Sequence, residues 1–123
     1  MTQTSRQALY WSPRVLTIAF IAFLSLFALD VFTEGRGFWE TLLALAIHLI
    51  PSFVLIAALV LAWRWEWVGA VMFAFAGALH LLMILRTPLS WATKLAQMLP
   101  IEGTAFVIAG LWLANWLKRE ELR

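Results

Sequence analysis

Cysteine is absent from this chain of 123 residues, tyrosine occurs once, and Asp, Glu, Lys and Arg together make up only 13% of it. The missing thiols exclude a disulfide-stapled secreted scaffold. Soluble domains carry about 25% charged residues, so the scarcity of charge excludes a soluble enzyme and a disordered chain alike. What is present is apolar: 63% hydrophobic residues, 15% aromatic ones and a mean hydropathy of +0.87. The basic excess, nine Lys and Arg against seven Asp and Glu with a pI near 9.7, does not indicate nucleic acid. Those basic residues sit at the edges of apolar runs rather than in one patch, which is how membrane anchors are distributed.

Four apolar segments stand out, at about residues 15–32, 39–63, 67–85 and 101–117. At 1.5 Å per residue each crosses, or nearly crosses, a hydrocarbon core of about 30 Å. None alternates like a barrel strand, so the sequence predicts an all-α integral membrane protein, an antiparallel four-helix bundle in a single domain over 1–123. Arg6 and Arg14 before the first segment resemble the start of a signal peptide, but no small-residue cleavage pattern follows Phe27; Asp30 and Glu34 stand there instead. Counting Lys and Arg by side puts Arg6, Arg14, Arg64, Lys118, Arg119 and Arg123 together, with Arg36, Arg86 and Lys94 opposite. The positive-inside rule then predicts a multi-pass protein of the prokaryotic cytoplasmic (inner) membrane with both termini in the cytoplasm. Tryptophan agrees, with Trp11, Trp63, Trp65, Trp67, Trp112 and Trp116 expected at the inner interface and Trp39 and Trp91 at the outer one.

The second loop, Trp63 to Trp67, is so short that the helices on either side must form an antiparallel hairpin. In the third, Thr87-Pro88 signals a helix start, and Ser90, Thr93, Lys94 and Gln97 fall opposite Leu89, Ala92, Leu95, Ala96 and Leu99. A short interfacial helix is expected there, setting the angle of the fourth span at Pro100.

Ionisable groups inside spans cost about 2.5–3.5 kcal/mol each at the centre, so each needs a reason. Five qualify: Asp30, Glu40, His48, His80 and Glu102, all in the outer half of the bundle. On the second span Thr41, Ala44, His48 and Ser52 form a small and polar stripe that directs His48 inward, and Pro51 predicts an irregular turn beside it. Gly77 with His80, and Glu102 with Ala105 and Ala109, give the third and fourth spans similar faces.

Three readings of this layer follow. The groups satisfy one another, with the carboxylates partly wet and Glu40 and Glu102 favoured at helix starts. Alternatively they bind or relay a cation or proton, with His48 and His80 as candidate ligands for a divalent transition metal, although no Glu-x-x-His spacing supports a metal centre. Least favoured is haem b held between His48 and His80, with Arg36, Arg86 or Lys94 meeting its propionates. No Ser or Thr has a recognisable base beside it and Cys is absent, so no enzyme is expected. Against a binding protein stands a structural or accessory subunit without a ligand. The small residues Gly69, Ala70, Ala74, Gly77, Ala78, Gly103 and Gly110 point to a homo-oligomer or partner membrane subunits within the lipid bilayer.

The runs Phe27-Ala28-Leu29-Asp30-Val31-Phe32, Gly37-Phe38-Trp39-Glu40, His48-Leu49-Ile50-Pro51 and Ala62 through Gly69 resemble a family of small prokaryotic membrane proteins classed as a domain of unknown function. The resemblance covers residues 13–69 well and the second half loosely. It implies four membrane helices, with Asp30, Glu40 and His48 as matching polar positions, and it carries no activity, cofactor or partner.

Overall fold

The computed structural model describes residues 2–33, 35 and 37–122, the Phe27 side chain excepted. Glu34, Arg36 and Arg123, which entered the reading of charge and topology, lie outside the described residues. Helix α1 runs Gln3–Leu26 and passes into a 3-10 segment, Phe27–Thr33; α2 runs Phe38–Arg64, α3 Glu66–Leu85, α4 Trp91–Leu117, and a short α5 covers Arg119–Leu122. The first four helices form an antiparallel bundle, each long and apolar enough to cross a membrane, and α3 packs most extensively against α4. One end of the bundle holds the described termini and the α2–α3 turn; the other holds the 3-10 segment and the α3–α4 loop.

The 3-10 segment has a packing logic. Side chains eclipse every three residues in such a helix, and Ala28 and Val31, three apart, are both buried while their neighbours Leu29, Asp30, Phe32 and Thr33 face outward. Its contacts are with α1 and α2. At the hairpin, Trp65 alone separates α2 from α3; its N–H donates to Leu61 O (2.9 Å) and its carbonyl accepts from Val68 N–H (3.0 Å), so one residue caps both helices.

The helix expected between spans three and four is present, but it is continuous with the fourth span. Ser90 caps α4 by accepting from Thr93 N–H (3.3 Å), and the helix continues through Pro100 to Leu117. A proline removes one ladder bond and crowds the preceding turn; here Pro100 lies on an exposed face, where a bend is accommodated most easily. Pro51 likewise lies inside unbroken α2, without the expected irregular turn. Lys94, expected on a solvated face, is buried: its Nζ donates to Leu85 O (3.2 Å) at the end of α3 and lies over the Trp91 ring. A cation at a helix C-terminus meets the carbonyls left without intrahelical donors.

Phe73, Ile108, Ala58 and Trp112 are fully buried at the centre of the core, with Phe20, Ile21, Leu55 and Ala105 around them. Trp112 is the exception to the expected aromatic belts. A Cβ at Gly69 would stand 2.6 Å from Trp112 Cγ and 2.8 Å from the Ala62 Cβ, so the missing side chain is what lets the indole sit against α3. The other seven tryptophans stay at least partly exposed. Trp39 to Trp63 on α2 and Trp91 to Trp116 on α4 each span about 36 Å, a hydrocarbon core plus part of both interfaces.

Candidate functional site

His80, near the end of α3, and Glu102, two residues past Pro100 on α4, meet across the most extensively packed helix pair of the bundle. The imidazole Nδ1 is hydrogen-bonded to Glu102 Oε1. Gly77, one turn before His80, permits this approach: a Cβ there would reach Phe106 Cε1 at 3.0 Å and Ala105 Cβ at 3.4 Å. Glu102 is 4% exposed, and its second oxygen, Oε2, is buried with no hydrogen-bond partner among the described residues. The His80 side chain remains 38% exposed, so the pair is buried on the carboxylate side and open on the imidazole side.

Chemically the pair can hold one proton in two ways. An ionised Glu102 accepts from His80 Nδ1–H; a protonated Glu102 donates its O–H to Nδ1. In either state the second carboxyl oxygen lacks a protein partner, and an unsatisfied buried polar atom costs about 1–3 kcal/mol. Among the described residues the other buried side-chain atom without a hydrogen-bond partner is Arg14 Nε.

Ser52 on α2 (2% exposed) bonds Ser25 on α1, Oγ to Oγ, at 2.9 Å, and Ser25 also donates to Ile21 O (2.8 Å). A hydroxyl has one proton, so only one of these bonds has Ser25 as donor at a time. Ser52 lies about 20 Å before the Trp65 turn and His80 about 22 Å after it. The serine pair and the His80–Glu102 pair therefore occupy one level, to which every long helix contributes one residue.

The remaining candidates are placed apart from this pair. His48 lies on α2 between the buried Ala44 and Ser52 of its stripe, yet it is exposed, and its Nδ1–H donates to Ala44 O (2.7 Å) of its own helix. Asp30 in the 3-10 segment and Glu40 in the first turn of α2 are both exposed. Among the described residues no three His, Asp or Glu side chains come together as a metal-binding group. His48 and His80 are thus not gathered with the carboxylates into one ligand set, and Lys94, offered as a propionate partner, is turned to Leu85 O.

Sequence reasoning missed a second polar cluster at the other end. Arg14, counted as a tail cation, is 1% exposed. Its guanidinium donates to Tyr10 O (2.5 Å), Asn115 Oδ1 (3.0 Å) and Trp63 O (3.3 Å), and it lies 3.7 Å from the Tyr10 ring centroid and about 5 Å from those of Trp63 and Trp112. Asn115 donates in turn to Leu9 O (2.6 Å) and Leu111 O (3.1 Å), and the Trp112 indole N–H donates to Thr17 Oγ1 (3.2 Å). Glu66, at the start of α3, is buried at the same end. A signal was available: Arg14 and Thr17, and Trp112 and Asn115, are each three apart, which puts each pair on one helix face.

The fold and this site define a class: a helical bundle with the composition of a multi-pass membrane protein and one incompletely satisfied carboxylate–imidazole pair. The chain belongs to the family of the domain of unknown function DUF7670, whose model matches residues 1–123. The match takes in both halves, including His80 and Glu102, which lie outside the runs that carried the resemblance. No curated protein and no solved structure matches the chain significantly.

Proposed function

We propose that the protein is a multi-pass protein of the prokaryotic cytoplasmic membrane that binds an exchangeable proton or small cation at His80–Glu102, as a binding protein rather than an enzyme. The observation that carries this reading is Glu102: a carboxyl group 4% exposed, one oxygen on an imidazole and the other unpartnered. Asp30, Glu40 and His48 belong to the same half of the bundle and would act as its peripheral polar groups rather than as ligands. Difference infrared spectroscopy of the reconstituted protein across a pH titration tests the proposal. A carboxyl C=O band that changes with pH and is absent in Glu102→Gln is expected; a spectrum unchanged by the substitution contradicts it.

The orientation we propose rests on charge. Arg6, Arg14, Arg64, Lys118 and Arg119 gather at the termini end, against Arg86 and Lys94 at the other, which supports cytoplasmic termini. Single cysteines at Gln3 and Leu89 should label from opposite sides of the membrane, Leu89 from outside.

One observation favours a second reading, that of an accessory subunit or homo-oligomer. Gly103 and Gly110 on the exposed side of α4 would meet nothing within 4 Å if given a Cβ, so the bundle itself does not use them. Small residues let membrane helices approach closely. Native mass spectrometry from mild detergent distinguishes this reading: a bare monomer without a co-purifying subunit speaks against it.

A further inference from the structure

At the termini end α1 outlasts the bundle. Asn115 in the last turns of α4 bonds Leu9 O, so residues 3–8 project about 9 Å further, flanked by α5. Between α1 and α5 lies a shallow groove of about 310 Å³ lined by Arg6, Gln7, Tyr10, Trp11 and Leu122. Its aromatic floor is fixed. Tyr10 carries the Arg14 guanidinium 3.7 Å from its ring centroid, Trp11 meets Tyr10 edge to face at 5.3 Å, and Trp11 meets Trp63 in the same manner at 6.0 Å.

Arg6 is exposed, and no carboxylate among the described residues pairs with it, although α5 carries Glu120 and Glu121 next to the Leu122 that lines the groove. The Arg6 Cα stands about 7.5 Å beyond that of Trp11 along α1. With a tryptophan belt at the edge of the hydrocarbon, that is the depth of lipid phosphates. Below the groove, Trp11, Val15 and Ile18 are 49%, 59% and 51% exposed and follow one another at i, i+4 and i+7, an apolar track down the outside of α1.

A cationic fork above a rigid aromatic ledge above an apolar track has the chemistry of one molecule. We infer that the groove binds the head group of an anionic phospholipid, with the phosphate on Arg6, the glycerol region against Tyr10 and Trp11, and an acyl chain along Val15 and Ile18. Arginine suits this role because its planar fork meets two phosphate oxygens at once. The track distinguishes a lipid from free phosphate, which would gain nothing from Val15 or Ile18. The inference is independent of the His80–Glu102 site, which lies in the opposite half of the bundle.

Native mass spectrometry of the purified protein, equilibrated with equal amounts of phosphatidylglycerol and phosphatidylcholine of matched chains, tests it. Wild type should retain phosphatidylglycerol preferentially. Arg6→Gln should reduce the preference about fivefold, the worth of one well-placed cation, while Lys118→Gln on the same rim leaves it within about twofold. Absence of a preference in wild type, an equal loss in Lys118→Gln, or displacement of the lipid by millimolar inorganic phosphate would each overturn the assignment. Circular dichroism confirms that both variants remain helical, and these exposed positions lie outside the core.

Discussion

The two ends of the bundle bury charge in different surroundings. At the termini end Arg14 has neutral acceptors on three helices (Tyr10 O, Trp63 O and Asn115 Oδ1), aromatic rings around it and the buried Glu66 nearby. At the other end Glu102 has one imidazole, and its Oε2 has no hydrogen-bond partner among the described residues. The first cluster leaves Arg14 Nε without a hydrogen bond, but its terminal guanidinium nitrogens tie α1, α2 and α4 together, and its energy lies in holding the helices. The second ties only α3 to α4, through one oxygen of its carboxylate.

Breaking the Arg14 cluster should have the largest effect. Arg14→Ala removes a buried charge that several partners were built to meet, and it should destabilise the bundle by about 3–5 kcal/mol in an unfolding titration from mild detergent. Next comes the packing that seats Trp112 beside this cluster. Gly69→Ala forces a Cβ to within 2.6 Å of the indole and should cost about 1–3 kcal/mol, whereas Gly110→Ala, with nothing within 4 Å, should cost nothing measurable.

The Glu102 end should respond far less. Glu102→Gln can still accept from the imidazole while shedding a buried charge, so stability should stay within about 1 kcal/mol of wild type even as the pH-dependent carboxyl band disappears. A loss as large as that of Arg14→Ala would make both ends structural and dissolve the contrast. The smallest effect is expected at His48→Gln, where an amide replaces one bond to Ala44 O at an exposed position; the same unfolding titration should find a change within about 0.5 kcal/mol.

Much of the fold was legible because the membrane restricts the choices. Apolar length marks the helices, and a turn as short as Trp63 to Trp67 dictates a hairpin. Legibility failed where a residue's role depended on a distant partner. Arg14 and Lys94 read as surface cations because charge at the end of an apolar run usually reaches water; only the acceptors at Asn115, Trp63 and Leu85 explain their burial. Trp112 read as an interfacial anchor because Gly69, more than forty residues earlier, was the condition for burying it. At the candidate site the sequence identified both members of the His80–Glu102 pair but not their pairing. Helical phase placed His48 on the inward stripe, while its hydrogen bond runs along its own helix. Phase alone set His48 inward with Ala44 and Ser52, and the packing leaves it exposed while those two are buried.

Having only two histidines allows the central claim to be tested in one spectrum. In the reconstituted, uniformly nitrogen-15-labelled protein, the two imidazoles should behave differently when Glu102 is changed to Gln. His80 should shift its nitrogen resonances and its response to pH, because its Nδ1 partner has lost the ability to exchange a proton, while His48, bonded to a backbone carbonyl, should keep both. Identical pH responses at the two histidines, or a His80 signal unmoved by Glu102→Gln, would contradict the proton-exchanging pair on which the account rests.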